Sequence, residues 1–299
     1  MGARSASSGF LGSLGFRPPL DWEGLLRFLG PRAIPGVEEV RDGVYRRGCV
    51  VGGSPAVLEV SAGSGGAGAA GAALSARPSD PGLERGVRRL FDLDGDPSDV
   101  ARVLSGDPVL RPLVVARPGL RAPGSFDPFE LTVRAILGQQ VTVAGATTLT
   151  GRLVRLLGRP LEQPDGGVTH AFPTPPALAE AALDGLGVPG RRAATLRAVG
   201  RAVADGNVVL DGSADPAAAA DALLELPGIG PWTVSYVAMR ALGDRDAFPA
   251  GDLGVRRAAA ALGLPDDPAG LTTHAERWRP YRAYAVQHLW ASLGARTGG

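Results

Sequence analysis

Lysine is absent from this chain: all 31 residues in its Lys+Arg total are arginine. With no ε-amine, every mechanism that runs through a lysine Schiff base is excluded. Cysteine is nearly absent. A single thiol, Cys49, makes no internal disulfide and cannot supply the four ligands of an iron–sulfur cluster. It sits in the apolar run Cys49-Val50-Val51 and reads as packing. Histidine is scarce too. His170, His274 and His288 lie far apart, with no HxxxH or HExxH spacing, which argues against a catalytic zinc. No cofactor is called for. No apolar run reaches the ~18 residues of a membrane span, and residues 1–16 lack the apolar core and cleavage site of a secretory signal. A cytoplasmic protein is the expectation. Charge of one sign is lacking as well: the formal net charge is +1, which by itself says nothing about nucleic acid.

What is present is length, apolar content and helix punctuation. The 299 residues are 44% hydrophobic, enough for a sizeable core and about two domains of ~100–200 residues. Residues 1–15 are small and polar and read as a flexible tail. The segment 21–29 (DWEGLLRFL) reads as a short helix capped by Asp21. Valines at 37, 40, 44, 50, 51, 57 and 60 give 37–60 a strand-like alternation. After residue 80 the pattern turns helical. Asp80, Asp96, Asp107, Asp127, Thr174, Asp215 and Asp267 each precede a proline, pairing a capping side chain with the residue that suits the first helical position. These signals predict an α+β unit over 16–95 followed by a helical unit over 96–299.

Two glycine-rich stretches compete for a functional reading. GSGGAG at 63–68 matches G-x-G-x-x-G after a possible strand, Val57–Val60. It lies in low-complexity sequence, and no alternation of strands and helices follows to place a dinucleotide, so it reads as a loop. The second stretch is LELPGIGPWTVSYVAMR at 224–240. One helix ends near Glu225 and another begins near Pro231, with Pro227, Gly228 and Gly230 between them. Such a hairpin lets backbone amides at Gly228, Gly230 and Thr233 meet a phosphate at the next helix's N-terminus, holding DNA without reading its sequence. The carbonyls of Leu224, Leu226 and Ile229 are candidates for a monovalent cation. Arginines at 46–47, 191–192, 256–257, 277, 279 and 282 read individually as solvated surface charges.

With the hairpin in hand, the sequence resembles the helix–hairpin–helix glycosylase superfamily, and closely its bacterial DNA-3-methyladenine glycosylase II branch. The resemblance is carried by FRPPLDWEGLLRFLGPRAI (16–34), ARPGLRAPGSFDPFELTVRAILGQQVTV (116–143), FPTP (172–175), LPGIGPWTVSYVAMRALGDRDAFPAGDLGVRRA (226–258) and AERWRPYRAYAVQHLW (275–290). It implies an α+β chain: a small N-terminal antiparallel sheet with helices, then a mainly helical two-lobed core with the lesion cleft between its lobes. It implies a monofunctional enzyme that flips alkylated bases such as 3-methyladenine and 7-methylguanine out of damaged double-stranded DNA and hydrolyses the N-glycosidic bond. A monomer is expected.

The carry-over makes Asp252, in PAGDLGV, the catalytic carboxylate; a helix N-cap is the plainer reading of the same residue. An ionised Asp suits a reaction that builds positive charge on the sugar. Trp232 and Tyr236, four apart on one helix face, would wall the base pocket with Trp290 and Phe28. Where lyase-competent relatives carry a lysine, this chain has Trp232. The resemblance places Gln140 at the wedge position, where close relatives push a leucine into the stack. The alternatives are a non-catalytic DNA-binding module or a glycosylase for another lesion class.

Overall fold

The computed structural model describes residues 12–63, 73–78, 80–211 and 215–296, with no side chains beyond 293. The chain builds three apolar cores, and a cleft opens at their junction.

The first core belongs to an antiparallel sheet in the order β1-β5-β4-β3-β2: β1 (Gly12–Gly15), β2 (Glu38–Arg41), β3 (Val44–Val51), β4 (Ser54–Ala62) and β5 (Ala73–Arg77). Side chains alternating toward one face, among them Tyr45, Leu58, Val60 and Leu74, are buried against α1 (Trp22–Leu29) and α2 (Pro81–Phe91). Residues 12–15, expected as tail, are instead an edge strand paired with 73–76; residues 1–11 lie outside the described residues. Four residues of GSLG carry too little alternation to announce a strand; pairing with β5 supplies it. Of GSGGAG, residues 64–68 lie outside the described residues. Its flanking strands, β4 and β5, pair antiparallel, which a dinucleotide-binding crossover cannot do.

The second core gathers α5 (Pro128–Leu137), α6 (Val143–Leu157), α7 (Pro175–Ala179), α8 (Gly190–Ala204), α9 (Pro216–Leu224) and one side of α10 (Pro231–Arg240). The third gathers α3 (Pro97–Leu104), α4 (Arg111–Ala116), the other side of α10, α11 (Leu253–Ala261), α12 (Pro268–Ala275) and α13 (Arg282–Arg296). Helix α10 is therefore the shared wall of the two helical cores.

The helix starts follow the Asp-Pro and Thr-Pro pairs. Asp80, Asp96, Asp127, Thr174, Asp215 and Asp267 each accept a first-turn amide, with proline inside the cap. Asp107 is the exception. It is buried, 2% exposed, and takes the Trp278 indole N–H and His274 Nε2, each at 2.8 Å, while α4 starts later, after Leu110. Its carboxylate ties the 104–111 turn to the α12 end rather than capping a helix.

The region after residue 80 is not wholly helical. Strands β6 (Arg159–Asp165) and β7 (Val168–Ala171) form a hairpin against the N-terminal sheet. The segment RPLEQPD, with two prolines and mostly polar residues, carries no strand signal of its own. The strands form because Gly36 accepts the amides of Thr169 and His170, and because Gly48 lets β3 approach the hairpin: a Cβ there would lie 2.0 Å from the His170 carbonyl oxygen.

Buried charge joins the sheet to the helical part. Arg47, expected as a solvated charge, is 2% exposed. It meets Glu130 on α5 at 2.6 Å and Glu38 on β2 at 3.7 Å, with Arg134 3.1 Å from Glu38. Tyr45 donates its hydroxyl to Glu38. Burial pushes the Glu130 carboxyl up; at Glu38 the opposing guanidiniums of Arg134 and Arg47 outweigh burial and hold it down.

Candidate active site

A cleft of about 1280 Å³ opens where the cores meet. It is bounded by the α5–α6 turn, the 225–230 hairpin, α10, the start of α11 and α13. Asp252 stands on its wall. As its local sequence requires, it caps α11: Oδ1 accepts the Val255 amide at 2.9 Å. Capping occupies only part of its capacity. Oδ1 also accepts the Trp290 indole N–H at 3.0 Å, and Oδ2 accepts that of Trp232 at 3.3 Å. Two indoles from different helices thus fix the carboxylate in the cleft wall. Gly254 permits this, because a Cβ at that position would lie 3.0 Å from Trp290 Nε1 and 3.1 Å from Asp252 Oδ1.

The aromatic residues assemble around this carboxylate. Trp232 and Tyr236 stack with ring centroids 5.3 Å apart at 22°, and Tyr236 meets Trp290 at 6.3 Å. All three line the cleft. Phe28 does not. It stacks on the far side of Trp290 at 6.2 Å and lines a neighbouring cavity, so it sits one layer behind the cleft wall. Its ring is occupied by Arg32 at 4.0 Å and Arg240 at 4.8 Å.

Arg32 and Arg240 line the cleft and escaped the sequence reading. The signal for Arg240 was its place four residues after Tyr236 on the same helix. It donates to the Pro123 and Gly124 carbonyls and to the Tyr236 hydroxyl. Burial pulls it down to about 10, helped by neighbouring Arg32 and Arg134, which leaves it cationic at neutral pH. Leu253, 57% exposed beside Asp252 at the start of α11, also lines the cleft and adds apolar surface to it.

The hairpin forms the opposite lip. Gly228 has φ +86°, and a Cβ there would strike Thr195 Oγ1 at 2.2 Å. Gly230 caps α10 with open space around its Cα. The side chain of Thr233 is 2% exposed and accepts the Gln139 Nε2 at 3.0 Å. Only its amide, in the first helical turn, suits contact with an anion. Gln139 also donates to the Gly228 carbonyl, so the α5–α6 turn braces the hairpin. The next residue, Gln140, is exposed, adopts φ +58° and lines the cleft. Val141 and Val143 beside it are 40% and 45% exposed, an apolar patch that sequence reasoning missed. Of the three carbonyls considered for a cation, that of Leu226 accepts the Ile229 amide at 3.1 Å. Among the described residues, no three His, Cys, Asp or Glu side chains cluster as a metal site, and no helix is long and apolar enough to cross a membrane.

Comparison with known proteins agrees with this architecture. The AlkA N-terminal domain family matches residues 12–127, and the HhH-GPD superfamily of base excision DNA repair proteins matches 133–282. The chain is 36% identical to the DNA-3-methyladenine glycosylase 2 of Escherichia coli, over 94% of this chain and 97% of that one. It is 44% identical to a probable bifunctional transcriptional activator/DNA repair enzyme AlkA of Mycobacterium tuberculosis over 93% of this chain, and spans 56% of that relative's length. Among solved structures, a 3-methyladenine DNA-glycosylase from Archaeoglobus fulgidus shares the fold, with a TM-score of 0.80 at 23% identity, covering 96% of this chain and 100% of that one. The chain belongs to the HhH-GPD superfamily of base excision DNA repair proteins, within the DNA-3-methyladenine glycosylase 2 family.

Proposed function

We propose that this protein is a monofunctional DNA glycosylase that hydrolyses the N-glycosidic bond of alkylated purines, 3-methyladenine and 7-methylguanine among them, in double-stranded DNA. The observation that carries this reading is Asp252, held by two indole N–H groups beside three stacked aromatic rings in a cleft large enough for a nucleotide. A flipped base stacks on Trp232, Tyr236 and Trp290. An alkylated, cationic base gains from their electron-rich faces, by about 0.5–2 kcal/mol per contact.

Cleavage sends the C1′–N electron pair into the base, which leaves neutral. The sugar becomes electron-poor at C1′, where the Asp252 carboxylate stabilises it. Water then adds to C1′ and loses a proton, with Asp252 as its nearest acceptor. Because the cationic base is a good leaving group, no separate general acid is required. Without lysine, the abasic strand is left uncut. The amides of the hairpin at Gly228 and Gly230 hold the DNA backbone, and Gln140 fills the gap left by the flipped nucleotide, flanked by Val141. The enzyme acts as a cytoplasmic monomer.

The test is release of free 3-methyladenine and 7-methylguanine from methylated DNA. The parent protein releases both. Asp252→Asn keeps duplex binding and loses release by at least about a hundredfold. Near-parental turnover in that variant would remove Asp252 from the mechanism.

A further inference from the structure

Five arginines line the cleft: Arg32, Arg47, Arg134, Arg240 and Arg257. Four of them are accounted for. Arg47 and Arg134 answer the buried carboxylates Glu38 and Glu130. Arg240 donates from all three side-chain nitrogens, to the Pro123 and Gly124 carbonyls and the Tyr236 hydroxyl. Arg257 is exposed to solvent on α11. Arg32 is different. It is half-buried, its Nη1 donates to the Phe28 carbonyl at 3.0 Å, and its guanidinium lies 4.0 Å over the Phe28 ring. Its own carbonyl accepts Arg134 Nη2, which fixes the turn that carries it. Among the described residues it meets no carboxylate, and its Nε and Nη2 make no hydrogen bond yet are not sealed from solvent. Burial pulls the group below the usual guanidinium range, while Tyr236 and Asp252 pull it back up against Arg134, so it lies within electrostatic reach of the stacked rings and of Asp252. It stays cationic throughout.

The wall of Trp232, Tyr236 and Trp290 takes a base by its faces, which every purine offers. Discrimination between purines falls to the base edge. Resting on the glycosylase reading above, we propose that Arg32 is a specificity-determining residue: its free Nε and Nη2 donate to O6 and N7 of a flipped guanine-type base and make 3-methylguanine preferred over 3-methyladenine. Both lesions carry the methyl group at the same ring position and the same positive charge, so stacking and repulsion by the guanidinium are common to them. At the edge opposite the methyl group they differ. 3-Methylguanine offers two acceptors, O6 and N7, which match a guanidinium fork. 3-Methyladenine has an amino group, itself a donor, in place of O6. 7-Methylguanine keeps O6 and loses N7, so it meets one donor. These bonds tighten as the electron pair of the breaking C1′–N bond enters the base and makes its acceptors more basic, which favours the transition state over the bound lesion.

The experiment measures release of 3-methylguanine and 3-methyladenine from the same methylated duplex DNA by the full chain under single turnover, each rate divided by the spontaneous loss of that base. The parent favours 3-methylguanine. Arg32→Met lowers the 3-methylguanine to 3-methyladenine ratio by about fivefold or more. Arg32→Gln, a milder change for the fold, moves the ratio in the same direction and tests the assignment even where Arg32→Met fails to fold. An Arg32 that only braces Phe28 slows both releases together and leaves the ratio unmoved, which overturns the proposal. A parent without preference for 3-methylguanine overturns it as well. If Arg257→Gln lowers the ratio and Arg32→Met does not, the edge is read from α11 and the assignment to Arg32 falls. Release of neither base by the folded parent fails the glycosylase reading itself and this inference with it, whereas release of 3-methyladenine with an unmoved ratio fails the Arg32 assignment alone.

Discussion

At the scale of single residues, the balance between burial and partner decides what each charged group does. Arg47 illustrates the cost side. Its guanidinium is buried between Glu38 and Glu130, so Arg47→Met leaves two carboxylates in low dielectric with only Arg134 to answer them. Breaking such a pair by removing one member typically costs about 3–5 kcal/mol. Chemical denaturation of this variant should show a loss of that size, and an unchanged midpoint would remove the network from the stability of the fold. His288 gives a pH signature. Burial, with a smaller push from Arg117, lowers it to about 4 from the usual 6.5. The unfolded chain takes up that proton below pH ~6.5 and the folded chain only near pH 4, so stability from this residue is complete above ~6.5 and falls as pH drops toward 4. The total is on the order of 3 kcal/mol. Thermal melts from pH 7 to 4 should fall less steeply in His288→Asn than in the parent.

Elements show why sequence reading succeeds in some places and fails in others. The helix–hairpin–helix was legible because its chemistry is local: proline and glycines set the turn, and Pro231 starts α10. Gly228 carries the strictest demand. An alanine there must adopt φ near +86° and also displace Thr195 Oγ1. The backbone term alone is about 1–2 kcal/mol, so Gly228→Ala should lower duplex affinity in a filter-binding assay more than Gly230→Ala, whose Cβ meets open space. The β6–β7 hairpin was illegible because its cause is distant. It exists through the Gly36 carbonyl and the Gly48 surface, more than a hundred residues earlier, while its own prolines argue against a strand. Asp107 misled for the same reason. Its neighbour Pro108 mimics a helix start, but its partners, His274 and Trp278, come from the other end of the chain. Asp252 was legible in position through resemblance, whereas its indole clamp, which needs α10 and α13 side by side, was visible only in three dimensions.

For the whole molecule, the absence of lysine sets a limit no rearrangement of the fold can lift. Borohydride added during turnover on methylated duplex should trap no lysine-linked protein–DNA adduct, and the product strand should stay full length until alkali is added. An adduct mapping to a side chain within 12–296 would contradict the hydrolytic reading. On the proposed reading, a chain with a formal net charge of only +1 holds DNA through the helix-start amides at the cleft lip. Phe28 belongs to the sheet-bearing core and Trp290 to the far helical one, so their stacking fastens distant parts of the chain directly behind the cleft.

An indole nitrogen gives a proton to a hydrogen bond and does not part with it at any pH a cell reaches. Trp232 and Trp290 therefore anchor Asp252 with partners that never titrate, unlike a histidine or a carboxylic acid in the same role. Acidification that rearranges other hydrogen-bond networks leaves these two anchors intact, and the aim of the carboxylate stays the same as long as the helices beneath it remain folded.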